Sequence, residues 1–162
     1  MRKHQYAQYS LKDFNQFDCL KLSKSIYAIL AFVTRGYIVW ILSISNMKNQ
    51  TDTIKMVFPD PKMFYLSLVS GAVGLFVVLI ISLRRPEAYP WVKVCWKHIR
   101  KFLLFALLVD LSVSIVGYFY LSLLSLSWLL IQLLVTLLLI VFLYSSHKIK
   151  LNIQEFPEKI VK

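Results

Sequence analysis

Apolar residues in this chain come in long unbroken runs, without the alternation of a half-buried strand or the single stripe of a surface helix. A hydrocarbon core of about 30 Å needs about 20 apolar residues of helix, which is the length of these runs. Ser25 to Ser45 reads SIYAILAFVTRGYIVWILSIS and is interrupted only by Arg35, while Met63 to Leu83 carries no charge. The run from Phe102 to Ser146 holds a single charge, Asp110, and is too long for one crossing. Its break is placed where Ser122, Ser125 and Ser127 cluster ahead of Trp128. The pattern therefore predicts an all-α polytopic membrane protein with four transmembrane helices, at about 25–45, 63–83, 102–122 and 126–146. Residues 1–24 form an N-terminal segment and 147–162 a basic tail.

Local signals agree with these ends. Asp60-Pro61 is an N-cap followed by proline at the first helical position, where a missing N–H costs nothing. Arg84-Arg85-Pro86 closes the second span with cations at its C-terminus and a proline beyond. Trp40 and Trp128 fall near the expected outer interface, where indole rings concentrate. Ser67 with Gly71, and Ser70 with Gly74, are small residues four apart that let another helix approach closely. Packing inside the monomer is the preferred reading of that spacing, ahead of a dimer face.

Two segments read as peripheral. In WVKVCWKHIRKF, from Trp91 to Phe102, a helical projection gathers Trp91, Val92, Val94, Cys95, Trp96, Ile99 and Phe102 opposite Lys93, Lys97, Arg100 and Lys101. That is the pattern of a basic amphipathic interfacial helix before the third span. Ser10 to Leu22 opens with a capping-box-like Ser10 and Asp13, and predicts a short amphipathic surface helix.

Composition changes the picture through charge. With 162 residues, 58% hydrophobic and mean hydropathy +0.63, one soluble core could not hide the apolar surface; a net charge of +11 in a soluble domain would instead suggest nucleic acid. The placement of the cations resolves this. Fifteen of the 19 Lys and Arg lie in the N-terminal segment, the loop after the second span and the tail; three, Lys48, Lys55 and Lys62, lie in the loop after the first span. By the positive-inside rule both termini are cytoplasmic. Arg84, Arg85, Lys93, Lys97, Arg100 and Lys101 then form a surface for anionic lipid or a partner, and nucleic acid is not expected. The first span reads as an uncleaved anchor, because it is long, contains Arg35 and follows 24 residues.

Candidate chemistry is sparse. Cys19 and Cys95 fall on the reducing side, and His4, His98 and His147 are scattered, so neither disulfide, metal site nor cofactor is expected. A phosphate loop, a nucleophile with a base and a carboxylate pair are all missing from the sequence, and no enzymatic activity is expected. The informative residues are the two charges within spans, each costing about 2.5–3.5 kcal/mol at a helix centre. Counting 1.5 Å per residue from the cytoplasmic ends, Arg35 and Asp110 reach similar depths, about 15 and 12 Å, which predicts an intramembrane Arg35–Asp110 pair. As structure, the pair fixes helix register; as function, it is the centre of a small transporter or proton-coupled carrier. The structural role is preferred, giving a non-enzymatic accessory or scaffold subunit that binds another membrane protein or a second copy.

The strings YSLKDFNQFDCLKLS, Arg35 with Trp40, FPDPKMFY, SLRRP and WVKVCWKHIRK, in that order before Asp110, resemble the YfeZ-like family of gammaproteobacterial inner-membrane proteins over roughly residues 5–145. The family is a domain of unknown function. The resemblance implies a four-span helical fold in the bacterial inner membrane and no activity for any residue.

Overall fold

A computed structural model describes residues 14, 19–45, 50–58, 60–122 and 124–157, with the backbone alone for 50–53. The described residues are all-α: α1 (Lys24–Val33), α2 (Arg35–Ser45), α3 (Gln50–Val57), α4 (Pro61–Ser82), α5 (Pro90–Lys97), α6 (Ile99–Phe119), α7 (Leu126–Ser145) and α8 (His147–Gln154). Three of them, α4, α6 and α7, are long and apolar enough to cross a membrane; α1 and α2 make a fourth only if counted together.

The bend in that fourth element departs from the continuous helix expected over 25–45. α1 and α2 meet at 70° across Thr34. The carbonyls that would continue α1 are taken locally: Thr34 gives both its amide and its hydroxyl to the Leu30 carbonyl, at 2.8 and 2.7 Å, and Arg35 Nη1 donates to the Phe32 carbonyl at 3.0 Å. Back-bonding by threonine bends helices, and here an arginine side chain completes the cap. α2 then crosses α4 closely. A Cβ on Gly36 would lie 2.7 Å from Ser67 Oγ and 3.2 Å from the Ser67 carbonyl carbon, so only glycine fits the crossing.

Helices α4, α6 and α7 coincide closely with the other three apolar runs. Asp60 caps α4 through Lys62 N–H at 2.8 Å, with Pro61 as the first helical residue. Between α6 and α7 the chain turns through Ser122, whose φ of 50° is left-handed, and Ser125 Oγ accepts from Trp128 N–H at 3.3 Å to start α7. α6 begins three residues before the expected Phe102, because helix resumes at Ile99, directly after a break at His98.

That break corrects the expected interfacial helix. α5 ends at Lys97, and the face assigned to lipid divides: Val92, Trp96 and Ile99 are buried in the protein core, whereas Trp91 and Val94 are exposed. Trp96 Nε1 donates to the carbonyls of Asn152 and Glu155, both at 3.1 Å, while the Arg84 guanidinium lies over the indole at 4.3 Å and gives Nη2–H to the Glu155 carbonyl. Residues 147–157 are thus held against the bundle and carry α8, with Ile149, Leu151 and Asn152 buried. Nor is the N-terminal amphipathic helix seen where residues are described. Cys19 to Ser23 are non-helical, Leu20 pairs with Phe14 as an isolated antiparallel bridge, and Leu20 N–H donates to Glu155 Oε2 at 2.8 Å. The rest of that segment, with the loop residues 46–49, lies outside the described residues.

The bundle therefore has two distinct ends. Residues 19–23, Arg84, α5, α8 and the tail gather at one, the basic end, above a core of Ile26, Ile29, Val77, Ile80, Leu103 and Leu107. At the far end Phe58, Met63, Phe64, Leu124 and Val39 form a second cluster.

Gly36→Ala is expected to cost about 1–3 kcal/mol of stability in equilibrium unfolding by SDS, the scale of overpacking. The added Ser67→Ala substitution recovers part of that loss by removing the nearest atom. Trp96→Phe keeps the ring and removes both donated bonds, so trypsin is expected to cut after Lys148 and Lys150 faster than in the parent while α4, α6 and α7 stay protected.

Candidate functional site: a carboxylate node shared by four helices

Asp110 sits midway along α6 with its side chain 1% exposed. Arg35 Nη1, at the first position of α2, donates to its Oδ2 at 2.8 Å. Gln132 Nε2 from α7 donates to the same oxygen at 2.8 Å, and Ser70 Oγ from α4 donates to Oδ1 at 3.1 Å. The single Ser70 hydroxyl hydrogen is shared with the Ser67 carbonyl, also at 3.1 Å. One step along α6, Ser114 Oγ gives its proton to the Asp110 carbonyl at 3.1 Å. A single carboxylate therefore binds a residue from each of α2, α4 and α7.

The bend at Thr34 is what makes this reach work. It sets Arg35 at the mouth of a new helix, where the guanidinium caps α1 through the Phe32 carbonyl, lies 4.7 Å from the Phe32 ring centroid and still meets Asp110. The arginine side chain remains 22% exposed against 1% for the acid. The node is thus open on the arginine side and closed on the carboxylate side. Burial of an isolated carboxylate is prohibitive in a low-dielectric interior, and three donors, one of them a countercharge, are what offset it.

A cavity of about 10 Å³ adjoins the node, lined by Arg35, Ser67, Asp110, Ser114 and Gln132 and continued towards the far end by Phe58, Met63, Leu124 and Trp128. Ser67 Oγ is buried on this wall with no hydrogen-bond partner. Thr136 Oγ1, one turn beyond Gln132, is likewise buried and unpartnered.

The other sequence-derived residues are placed apart from the node or serve its packing. Gly71 and Gly74 face α1 and α2: a Cβ on Gly71 would meet Tyr37 at 3.0 Å and the Val33 carbonyl at 3.1 Å, and one on Gly74 would meet Thr34 at 2.8 Å and Val33 at 2.9 Å. Ser67, Ser70, Gly71 and Gly74 are buried within the protomer. At the basic end Arg85, Lys93, Lys97 and Lys101 are exposed, while Arg84 and Arg100 are half-buried with each Nε unpartnered. Burial pushes the Arg84 pKa below its ordinary value, against the opposing influence of Cys19, Glu155 and Tyr27. A surface cleft of about 370 Å³, lined in part by Lys21, Tyr27, Ile81 and Arg84, opens beside it. Among the described residues no group of three His, Cys, Asp or Glu side chains is arranged to hold a metal.

Sequence reasoning passed over Gln132 and Ser70 as partners of Asp110. The available signal was rarity: Gln132 is the one amide side chain within the four apolar runs, and such a group needs a partner in hydrocarbon.

Three helices long and apolar enough to cross a membrane, or four if α1 and α2 count as one, are tied by buried polar groups, which makes the chain a candidate multi-span membrane protein. Residues 9–155 match the family described as "Protein of unknown function (DUF2919)", and the chain belongs to it. No curated protein and no solved structure matches it.

Asp110→Leu is expected to cost about 3–5 kcal/mol in SDS unfolding, because it strands Arg35 beside two orphaned donors. The double variant Arg35→Met with Asp110→Leu is expected to lose clearly less, and equal losses would remove the pair from the centre of the fold.

Proposed function

We propose that this protein is a non-enzymatic multi-span protein of a bacterial inner membrane that acts as an accessory or scaffold subunit for another membrane protein. The observation that carries this reading is the node itself. The Asp110 carboxylate accepts from Arg35, Ser70 and Gln132, one from each neighbouring segment, which is the use of a buried charge to fix helix register. Such a bundle presents a stable outer surface, and α7 offers the most of it: 17% of its apolar window is buried, against 39% for α4 and 33% for α6.

The cation distribution supports a cytoplasmic location for the basic end and both termini. Arg84, Arg85, Lys93, Lys97, Arg100 and Lys101 then meet the leaflet surface, where each cation near anionic lipid contributes about 1 kcal/mol. The cleft beside Lys21 and Arg84 adds a concave site for a headgroup. The resemblance to YfeZ-like proteins supports the inner membrane as the compartment.

A second reading, a small proton-coupled carrier built on Arg35 and Asp110, is favoured by the 70° break next to the charge pair, since transporters place discontinuous helices at their coupling sites. Exchanging the two charges, Arg35→Asp with Asp110→Arg, separates the readings. A scaffold should regain membrane abundance relative to either single variant, and an Asp110-dependent proton flux in liposomes would establish the carrier instead.

For the scaffold reading, purification in mild detergent is expected to yield a defined complex that is lost in Leu134→Ala/Leu138→Ala, a pair on the exposed flank of α7, with abundance unchanged. A lone monomer would overturn it. A reporter fused after Lys162 is expected to be active in the cytoplasm, and activity restricted to the periplasm would reverse the assigned topology.

A further inference from the structure

We propose that the cavity beside Asp110 is a water site, and that it connects the carboxylate node to the far face of the membrane alone. The volume of about 10 Å³ is close to that of one water-sized probe sphere, the threshold at which a polar void is occupied. Its wall supplies the two to four polar partners that a buried water needs. Ser67 is 4% exposed and its Oγ has no other partner, and Arg35, Asp110 and Gln132 share the wall. Leaving that hydroxyl unsatisfied would cost about 1–3 kcal/mol, which a bridging water removes. Water fits better than an ion, because Arg35 and Asp110 together give the wall no net charge.

The direction of access follows from register. Phe58 follows α3, Met63 lies in the first turn of α4, and Leu124 and Trp128 flank the start of α7, so the remaining lining lies between the node and the far end. Trp128 is 41% exposed at that rim, and Arg35 is the exposed member of the pair. Towards the basic end the chain places Val33, Val77, Ile80, Leu103 and Leu107, each fully buried, within a few turns of the node. Dry apolar packing closes that direction, whereas the cavity lining itself runs on towards the far end as far as the exposed Trp128 ring.

Silver ion, a small thiol reagent that does not depend on a wide path, tests this in native membranes. In a chain with Cys19→Ala and Cys95→Ala, a single Ser67→Cys is exposed to silver in spheroplasts and in inverted vesicles, then denatured and treated with a fluorescent maleimide. Lys97→Cys, exposed at the basic end, reports which face each preparation presents. Ser67→Cys is expected to lose its maleimide signal only in the preparation that leaves Lys97→Cys unprotected, with Val77→Cys labelled fully in both. Loss from the same face as Lys97→Cys, or from neither face, overturns the proposal. If Ser67→Cys fails to accumulate, Ser114→Cys on the same wall is scored by the same criteria. Because sidedness is read against Lys97→Cys, an inverted topology would refute the assigned orientation and leave this inference standing.

Discussion

A buried carboxylate demands hydrogen-bond donors and a countercharge, and the packing of this protein is arranged around meeting that demand for Asp110. Its two oxygens accept from Arg35, Gln132 and Ser70, so α2, α7 and α4 are each drawn to the middle of α6. Helices whose outer faces are equally comfortable in lipid have little else to define their rotation. The bond from a charged donor to a buried charged acceptor is also the strongest available there, roughly twice a neutral one. The small residues of α4 serve the same end: close approach of α1 and α2 at Gly71, Gly74 and Gly36 brings the arginine within reach.

The bend at Thr34 follows from the same constraint. A straight helix through 25–45 would satisfy every backbone group but would carry Arg35 at whatever angle the helical repeat dictated. Breaking it exposes carbonyls, and these are recovered by the Thr34 hydroxyl and by the arginine itself. One guanidinium nitrogen thus serves as helix cap and countercharge together. Irregular backbone within an apolar span is tolerated where protein covers it, and α4 packs against Thr34 at Gly74.

At the basic end a second polar assembly holds the surface elements. The Glu155 carbonyl accepts from Trp96 and Arg84, and its carboxylate from the Leu20 amide, so the tail is bound to α5, to the end of α4 and to the segment before α1. The broad apolar face of residues 91–102 was visible in sequence, but periodicity does not distinguish a face that meets lipid from one that meets protein. Val92 and Trp96 are apolar enough for either. The indole N–H decides, because it finds two carbonyls in the tail and none in hydrocarbon.

The chain's own sequence determined what depends on local composition: an all-α architecture, the limits of α4, α6 and α7 to within a few residues, the cap at Asp60 and the two charges that had to be reconciled. Depth counting alone brought Arg35 to the level of Asp110, because 1.5 Å per residue is a property of any helix. Tertiary structure decided the rest: the break at Thr34, the recruitment of Ser70 and Gln132, the inward turn of Trp96 and the helical tail with buried Asn152. Those outcomes depend on which polar atoms become neighbours after packing. A sequence shows how much a buried donor or acceptor needs a partner, and only the folded chain shows which one it obtains.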